Sequence, residues 1–343
     1  MSDLLILLFA MVMAFAVAFA AGSNDEMMAP GVAAGVFSLR NAVILGAVFS
    51  VVGVFLGEAV VETIGEDLVK GNRLTDVMVI AVLLVMVIIL VGHVTIMPLP
   101  ISTTQTVVGA IVGVAIAAGF SNPEWGLNSV DYWVLLFIFL GWILSPIIGF
   151  LAAATVHLWI QRLDESVEGL AGKQKKDQAY IYALGIFLII SSASRAGNDV
   201  ANSIAPVLGL KILEGETTTT NLWLMMLLGG LGMALGLILI GKIVIRVVAR
   251  ELVEMNPTSG LSSMISVTLI MTLGTIFGFP LSGTHVLIAG MIAVGWAERS
   301  PIKRQMVKMI VISWIVTVPI AALLGAIVWF VMDWLFVVLS LGI

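Results

Sequence analysis

The 343-residue sequence contains no cysteine and only three histidines. Without cysteine, a disulfide framework, thiol chemistry and a cysteine-ligated zinc site are excluded. His93, His157 and His285 are too far apart in the sequence to suggest a metal site. No glycine-rich loop ends in Lys-Ser or Lys-Thr, so there is no obvious place for ATP. The net charge of −5 is spread over the loops and gives no indication of nucleic-acid binding.

Charged residues are also scarce. They make up 11% of the chain, hydrophobic residues make up 60%, and the mean hydropathy is +1.15. An ordinary soluble domain carries about 25% charged residues. The sequence therefore predicts an all-α polytopic protein of the lipid bilayer, with about 12 helical segments and about ten crossings of roughly 20 residues each.

The few basic residues predict the topology. They concentrate in 161–178, 242–250 and 298–308, and the positive-inside rule makes these stretches cytoplasmic. The loops 121–130 and 211–221 carry one lysine between them and are expected outside.

This pattern divides the chain into two halves. Residues 1–160 and 179–343 each make five crossings, and 161–178 is a cytoplasmic linker between them. Because five is odd, the halves must have inverted topologies, with both chain termini outside the cell membrane. The loop 62–76 fits least well, since Lys70 and Arg73 would then lie outside.

Two motifs occur once in each half and in the same order. Asn24-Asp25 matches Asn198-Asp199, at an offset of 174 residues. Pro100-Ile101-Ser102-Thr103-Thr104-Gln105 matches Pro280-Leu281-Ser282-Gly283-Thr284-His285, at an offset of 180 residues. We expect the first motif to break a membrane helix at Asp25 and again at Asp199, and the second to follow helix reversals at 97–100 and 279–280. Inverted repeats with broken helices are typical of secondary transporters that bind their substrate at the repeat interface.

The second motif predicts an oxyanion site. Proline ends the preceding helix, and Ser102 or Ser282 then caps the next helix, which begins inside the protein. Two such N-termini would converge with free N–H groups and partial positive charge. The side-chain donors would be the hydroxyls of Ser102, Thr103, Thr104, Ser282 and Thr284. The alternative is that these residues only cap and pack helices within the membrane.

The first motif predicts a cation site. Asn24, Asp25, Asn198 and Asp199 offer hard oxygen ligands, which suit Na⁺, or carboxylates that relay protons. The alternative is a buried aspartate that caps the following helix. No nearby lysine offsets the charge of the carboxylates. Arg195 either pairs with Asp199 four residues on, contacts the anion, or only ends a helix. Glu26 is either a second ligand or a charge at a helix N-terminus.

These residues resemble the PiT family of inorganic phosphate transporters. The stretch Gly-Asn-Asp-Val-Ala-Asn-Ser-Ile-Ala-Pro at 197–206 is similar to a duplicated signature of that family. The two Pro-Ser-Thr motifs resemble its second repeated motif, and Asn24-Asp25 followed by 39–42 resembles the first-half signature. The resemblance implies cation-coupled uptake of inorganic phosphate by two transport-core halves, often in a homodimer. The chain departs from the family at Glu26-Met27-Met28, where Val-Ala-Asn is usual, and its short central loop indicates a prokaryotic member.

The combined hypothesis is sodium-coupled symport of inorganic phosphate across the cell membrane by alternating access, with no enzymatic activity and no cofactor. The phosphate-binding residues are predicted to be Ser102, Thr103, Thr104, Gln105, Ser282, Gly283 and Thr284, with Asp25 and Asp199. The sodium ligands are predicted to be Asn24, Asp25, Asn198, Asp199, Thr104 and Thr284. The alternatives are a proton-coupled phosphate or metal–phosphate carrier, a sulfate permease, and an anion channel, which would show no dependence on a cation gradient.

Overall fold

The computed structural model describes residues 2–69, 74–96, 99–165, 169–213 and 218–340. Within these ranges the chain is built of helices and contains no extended strand. The α-helices are α1 (Ser2–Ser23), α2 (Ala29–Ala33), α3 (Leu39–Val52), α4 (Glu58–Glu62), α5 (Asp76–Ile96), α6 (Thr103–Ala118), α7 (Tyr132–Glu165), α8 (Leu170–Ile204), α9 (Thr219–Gly236), α10 (Lys242–Glu251), α11 (Pro257–Ile276), α12 (Gly283–Glu298) and α13 (Arg304–Ser340). The predicted all-α fold class is confirmed.

Eight helical stretches in the described ranges are long and apolar enough to cross a membrane. The two helices that follow the repeated Pro-Ser-Thr motifs, α6 and α12, are shorter, with 16 residues each. At 1.5 Å per residue each is about 24 Å long, less than the roughly 30 Å of a hydrocarbon core. Neither helix is long enough to cross a hydrocarbon core by itself.

The helices of the two halves pack in the same pattern, and several helices of each half pack against helices of the other. In the first half α5 packs against α1 and α6, and in the second α11 packs against α8 and α12. Four contacts join the halves: α1 packs against α9, α8 against α3, α6 against α13, and α12 against α7. In these contacts α1, α3, α5, α6 and α7 correspond to α8, α9, α11, α12 and α13. The halves form one joint interior rather than two separate bundles.

The predicted helix break is present in the first half and absent in the second. The first helix ends at Ser23, and a non-helical segment separates it from α2. In contrast, α8 continues through Asp199 to Ile204, so the predicted break at Asp199 is wrong. The reason is that the Asp199 carboxylate binds Arg195 one turn earlier, at 3.0 Å, an i,i+4 contact that supports helical geometry. The helix changes only at the 3₁₀ segment Ala205–Gly209, which contains Pro206.

The predicted reversal in the second half is confirmed. α11 ends at Ile276 and α12 begins at Gly283, with Gly278 at a positive φ of 75° in the turn between them. In the first half, Met97 and Pro98 lie outside the described residues, as do Lys70 and Arg73. Both α7 and α8 extend into 161–178, the predicted linker.

Candidate functional site

The site begins with the capped N-termini of α6 and α12. The Ser102 hydroxyl accepts a hydrogen bond from the Gln105 N–H at 3.2 Å, and the Ser282 hydroxyl accepts one from the His285 N–H at 3.4 Å. Both serines have extended backbone conformations, as N-cap residues do. The two predicted caps are confirmed. The first N–H groups of both helices are left without intrahelical acceptors, and they lie in the buried interior with Thr103 and Thr104.

Threonines two residues after each cap join the two helix N-termini. The Thr104 hydroxyl donates to the carbonyl of Leu281 at 3.0 Å. The Thr284 hydroxyl contacts the carbonyl of Ile101 at 3.4 Å. Leu281 and Ile101 occupy equivalent positions in the repeated motif, so each threonine bonds to the segment that leads into the opposite helix. The predicted convergence of the two N-termini is therefore present, and both hydroxyls take part in it.

Asparagine side chains also bind the two segments that lead into α6 and α12. The Asn24 amide donates to the Ile101 carbonyl at 2.7 Å and accepts from the Ile101 N–H at 3.0 Å. The Asn198 amide donates to the Phe279 carbonyl at 3.1 Å, and the Trp142 indole donates to the Pro280 carbonyl at 3.1 Å. Since these backbone groups lie outside a helix and are buried, such partners are needed to satisfy them.

Arg195 on α8 lies among three carboxylates. Its Nη1 and Nη2 contact the two oxygens of Glu26 at 2.7 and 3.3 Å, and its Nε contacts Asp199 at 3.0 Å and Asp25 at 3.3 Å. Asp25 and Glu26 belong to the non-helical segment after α1, so this cluster also joins the two halves. All four residues are at least 97% buried, and the guanidinium leaves two negative charges uncompensated when the three acids are ionised.

The guanidinium of Arg195 also reaches the N-terminus of α12. Its Nη2 donates to the Thr284 hydroxyl at 3.1 Å. A Cβ atom on Gly283 would lie 3.3 Å from Nη1 and 3.2 Å from Cδ of Arg195. A helix N-terminus carries partial positive charge and favours anions. The three carboxylates offset the unfavourable placement of a cation at this point.

Several buried oxygens near these contacts have no hydrogen-bond partner within the described part of the chain. They are Oδ2 of Asp25, Oγ1 of Thr103, Oε1 of Gln105 and Oδ1 of Asn202. Buried polar atoms are normally hydrogen-bonded, so unpaired ones call for an explanation such as a bound ion. The described ranges contain no cluster of three or more His, Cys, Asp or Glu side chains shaped to hold a metal ion.

The site contains residues that the sequence reasoning did not place. Arg195 supplies the positive charge beside the carboxylates, where no lysine is near in the sequence. Of its three predicted roles, the pairing with Asp199 is confirmed. Glu26 binds Arg195 from 169 positions away. Asn202 donates to the Thr104 hydroxyl at 3.0 Å. Its position four residues after Asn198 puts both amides on one face of α8, a signal that could have identified it.

A buried site between two helix N-termini, inside a bundle of apolar helices, defines the class of the protein as a polytopic membrane transporter. The comparisons with known proteins agree. The model of the phosphate transporter family PHO4 matches residues 22–195 and 168–325. The chain belongs to this family.

Individual relatives point in the same direction. A protein of Thermococcus kodakarensis named as a phosphate permease is 30% identical over 93% of this chain and 96% of its own length. A "Sodium-dependent phosphate transporter 2" of Xenopus laevis is 32% identical over 48% of this chain and 26% of its own length. A solved structure titled "The sodium-dependent phosphate transporter" aligns with a TM-score of 0.83 at 23% identity, over 96% of this chain and 99% of its own. The family and the relatives are transporters and permeases, not enzymes.

Proposed function

We propose that this protein is a sodium-coupled symporter of inorganic phosphate. The single observation that carries the proposal is the meeting of two capped helix N-termini beside a cluster of three buried carboxylates. Membership of the phosphate transporter family supports phosphate as the anion. The name of the Xenopus relative supports sodium as the coupled cation.

The anion half of the site is formed by the two N-termini. In the proposal, phosphate binds between α6 and α12 and accepts hydrogen bonds from their first N–H groups and from neighbouring side chains. Helix N-termini bind phosphate because their free N–H groups and dipoles both favour an anion. The proposed phosphate-binding residues are Ser102, Thr103, Thr104, Gln105, Ser282, Gly283 and Thr284.

The cation half is formed by the carboxylates and amides. Asp25 and Asp199 are buried on the two sides of Arg195, and Asp25 has one oxygen without a partner among the residues described. Asn24, Asn198, Thr104 and Thr284 supply further oxygens, and each such oxygen has a second lone pair beyond its present hydrogen bond. Sodium is a hard cation that prefers such oxygen ligands.

The exchange of helices between the halves supports an alternating-access mechanism. Each N-terminus is held by residues of the opposite half, so a movement of one half against the other would change both sides of the site together. In the proposal, the halves are inverted repeats in the cell membrane that rock about a fixed central site. Both termini then face outward, and α7 and α8 meet at the cytoplasmic side. The homodimer suggested by the family resemblance stays a prediction.

The test is uptake of radiolabelled phosphate into proteoliposomes that contain the purified protein. Separate samples receive an inward Na⁺ gradient, an inward H⁺ gradient, or no gradient, and sulfate is added as a competitor. We expect uptake only with the Na⁺ gradient and no inhibition by sulfate. Liposomes with Asp25→Asn or Asp199→Asn protein serve as controls that each lack one carboxylate charge, and thermal unfolding of each variant checks that it is folded.

Other results of the uptake experiment would change the proposal in specific ways. Uptake driven by H⁺ alone would replace sodium with a proton relay through the aspartates. Inhibition by sulfate would broaden or change the anion. Uptake that follows the phosphate gradient, whatever the cation gradient, would indicate an anion channel and contradict the proposal.

A further inference from the structure

The pair Glu26–Arg195 has no assigned role in the site and is the most completely buried ion pair in the described chain. The two residues are 0% and 1% exposed. The Nη1 of Arg195 donates to one oxygen of the Glu26 carboxylate and Nη2 donates to the other. This two-point geometry is the one by which arginine also binds phosphate.

The arginine lies where the proposed phosphate site requires a cation. Its Nη2 contacts the hydroxyl of Thr284, and its side chain passes over Gly283, the first residue of α12. A phosphate at this N-terminus would lie within reach of the same nitrogens that hold Glu26. The fork cannot make its two-point contact with both anions at once, so phosphate and Glu26 are competitors for one guanidinium.

We propose that this competition couples phosphate to sodium, an inference that rests on the proposed function. When phosphate takes the guanidinium, Asp25, Glu26 and Asp199 lose the positive charge that compensates them. Buried carboxylates without a counter-charge are unfavourable, so the affinity of these oxygens for Na⁺ rises. When Na⁺ binds the carboxylates first, Arg195 is released from them and its affinity for phosphate rises. Arg195 is thus a phosphate ligand, and Glu26 is the internal anion that phosphate displaces.

The repeat relation supports a specific role for this pair. At the offset of 174 residues, Glu26 corresponds to Val200 and Arg195 corresponds to Ala21. Each charged residue therefore has an apolar counterpart in the other half. The pair is absent from the repeated scaffold of caps and threonines, and the scaffold does not need it to join the two N-termini.

Coupling between two ligands is reciprocal, which gives a direct test. The dissociation constant of inorganic phosphate is measured by calorimetry on the purified protein without Na⁺ and at saturating Na⁺. The dissociation constant of Na⁺ is measured without and with phosphate. The two ratios must agree within error, and we expect a coupling factor in the range of about 5 to 150 for the unsubstituted protein.

The variants separate the two roles. Glu26→Gln removes the competitor and leaves Arg195 in place, so we expect phosphate without Na⁺ to bind about tenfold more tightly and the coupling factor to fall toward one. Arg195→Gln should weaken phosphate binding at least about tenfold and also bring the factor toward one. Arg195→Lys keeps the charge and loses the fork, so it should weaken phosphate binding but retain coupling. Glu62→Gln, an exposed acid on α4, is the matched control.

The outcomes are distinguishable. A coupling factor of one in the unsubstituted protein would contradict sodium coupling itself, and with it this inference. A coupled unsubstituted protein whose Glu26→Gln variant behaves like Glu62→Gln would overturn the inference and leave the proposed function intact. If Arg195→Gln does not fold, the Glu26→Gln and Arg195→Lys variants still decide the question, because each keeps a cation at the centre of the cluster.

Discussion

The hydroxyl of Thr104 allows a quantitative prediction, because its substitution by valine changes hydrogen bonding with almost no change in shape. In Thr104→Val, the Leu281 carbonyl loses the donor at 3.0 Å and the Asn202 amide loses the acceptor at 3.0 Å. The Leu281 carbonyl and the Asn202 side chain are buried, and the side-chain oxygen of Asn202 already lacks a partner in the described structure. We therefore expect Thr104→Val to loosen the contact between the two helix N-termini.

The size of the effect follows from the two lost hydrogen bonds. Measured side-chain hydrogen bonds in a membrane protein average about 0.6 kcal/mol, and those in soluble proteins reach about 1.5 kcal/mol. Two of them correspond to about 1–3 kcal/mol. If this cost falls on the phosphate-binding arrangement, the dissociation constant of phosphate rises between about 5-fold and about 150-fold.

Thr106→Val is the matched control on the same helix. Thr106 is also fully buried, but its hydroxyl donates only to the Ser102 carbonyl in its own helix, at 3.0 Å. Phosphate affinity measured by calorimetry at saturating Na⁺, together with the thermal unfolding of both variants, completes the comparison. Equal phosphate affinities for the two variants would refute the reasoning, because the bonds between the N-termini would then contribute nothing to the site.

Three further predictions concern the surrounding structure. Asp25→Asn and Asp199→Asn should each remove the Na⁺ dependence of phosphate uptake while thermal unfolding stays cooperative; uptake still driven by Na⁺ in both would exclude them as sodium ligands. Gly57→Ala should prevent stable folding, because its Cβ would lie 2.1 Å from the Gly197 carbonyl oxygen. Gly92→Ala is the control, since its Cβ would meet nothing within 4 Å. Similar melting temperatures for the two variants would contradict the close packing at Gly57. Asn24→Ala frees both backbone groups of Ile101 and should lower stability by about 1–3 kcal/mol, seen as a lower melting temperature; unchanged melting would mean that the segment is held elsewhere.

The caps of α6 and α12 could be predicted from the sequence because their chemistry is local. A proline that ends one helix and a serine that caps the next lie side by side in the chain, and the duplication of the motif strengthened the interpretation. The meeting of Thr104 with Leu281 joins positions 177 residues apart. It could be anticipated only because the repeat placed both N-termini at a common interface.

The two Asn-Asp pairs show where identical local sequence is insufficient. Asp25 accepts a hydrogen bond from the Met27 N–H at 2.9 Å, a local turn that competes with the helix. Asp199 instead binds Arg195 in the preceding turn, and α8 continues. The dipeptide is the same, and the difference lies in which partner each carboxylate has. Because the first half has alanine at the position of Arg195, only the second half can make the helical pairing.

The same asymmetry explains why the two halves depend on each other. Removing one partner of a buried ion pair typically costs about 3–5 kcal/mol, because the remaining charge is uncompensated. Glu26 belongs to the first half and Arg195 to the second, and both are buried beyond the reach of solvent. Within this cluster the second half pairs Arg195 with its own Asp199, whereas Asp25 and Glu26 of the first half find their cation only in Arg195. The complete cluster therefore exists only when the halves are assembled. The contact between Glu26 and Arg195 joins α8 to the segment after α1. Any movement that separates these two elements must therefore first provide other ions for both side chains.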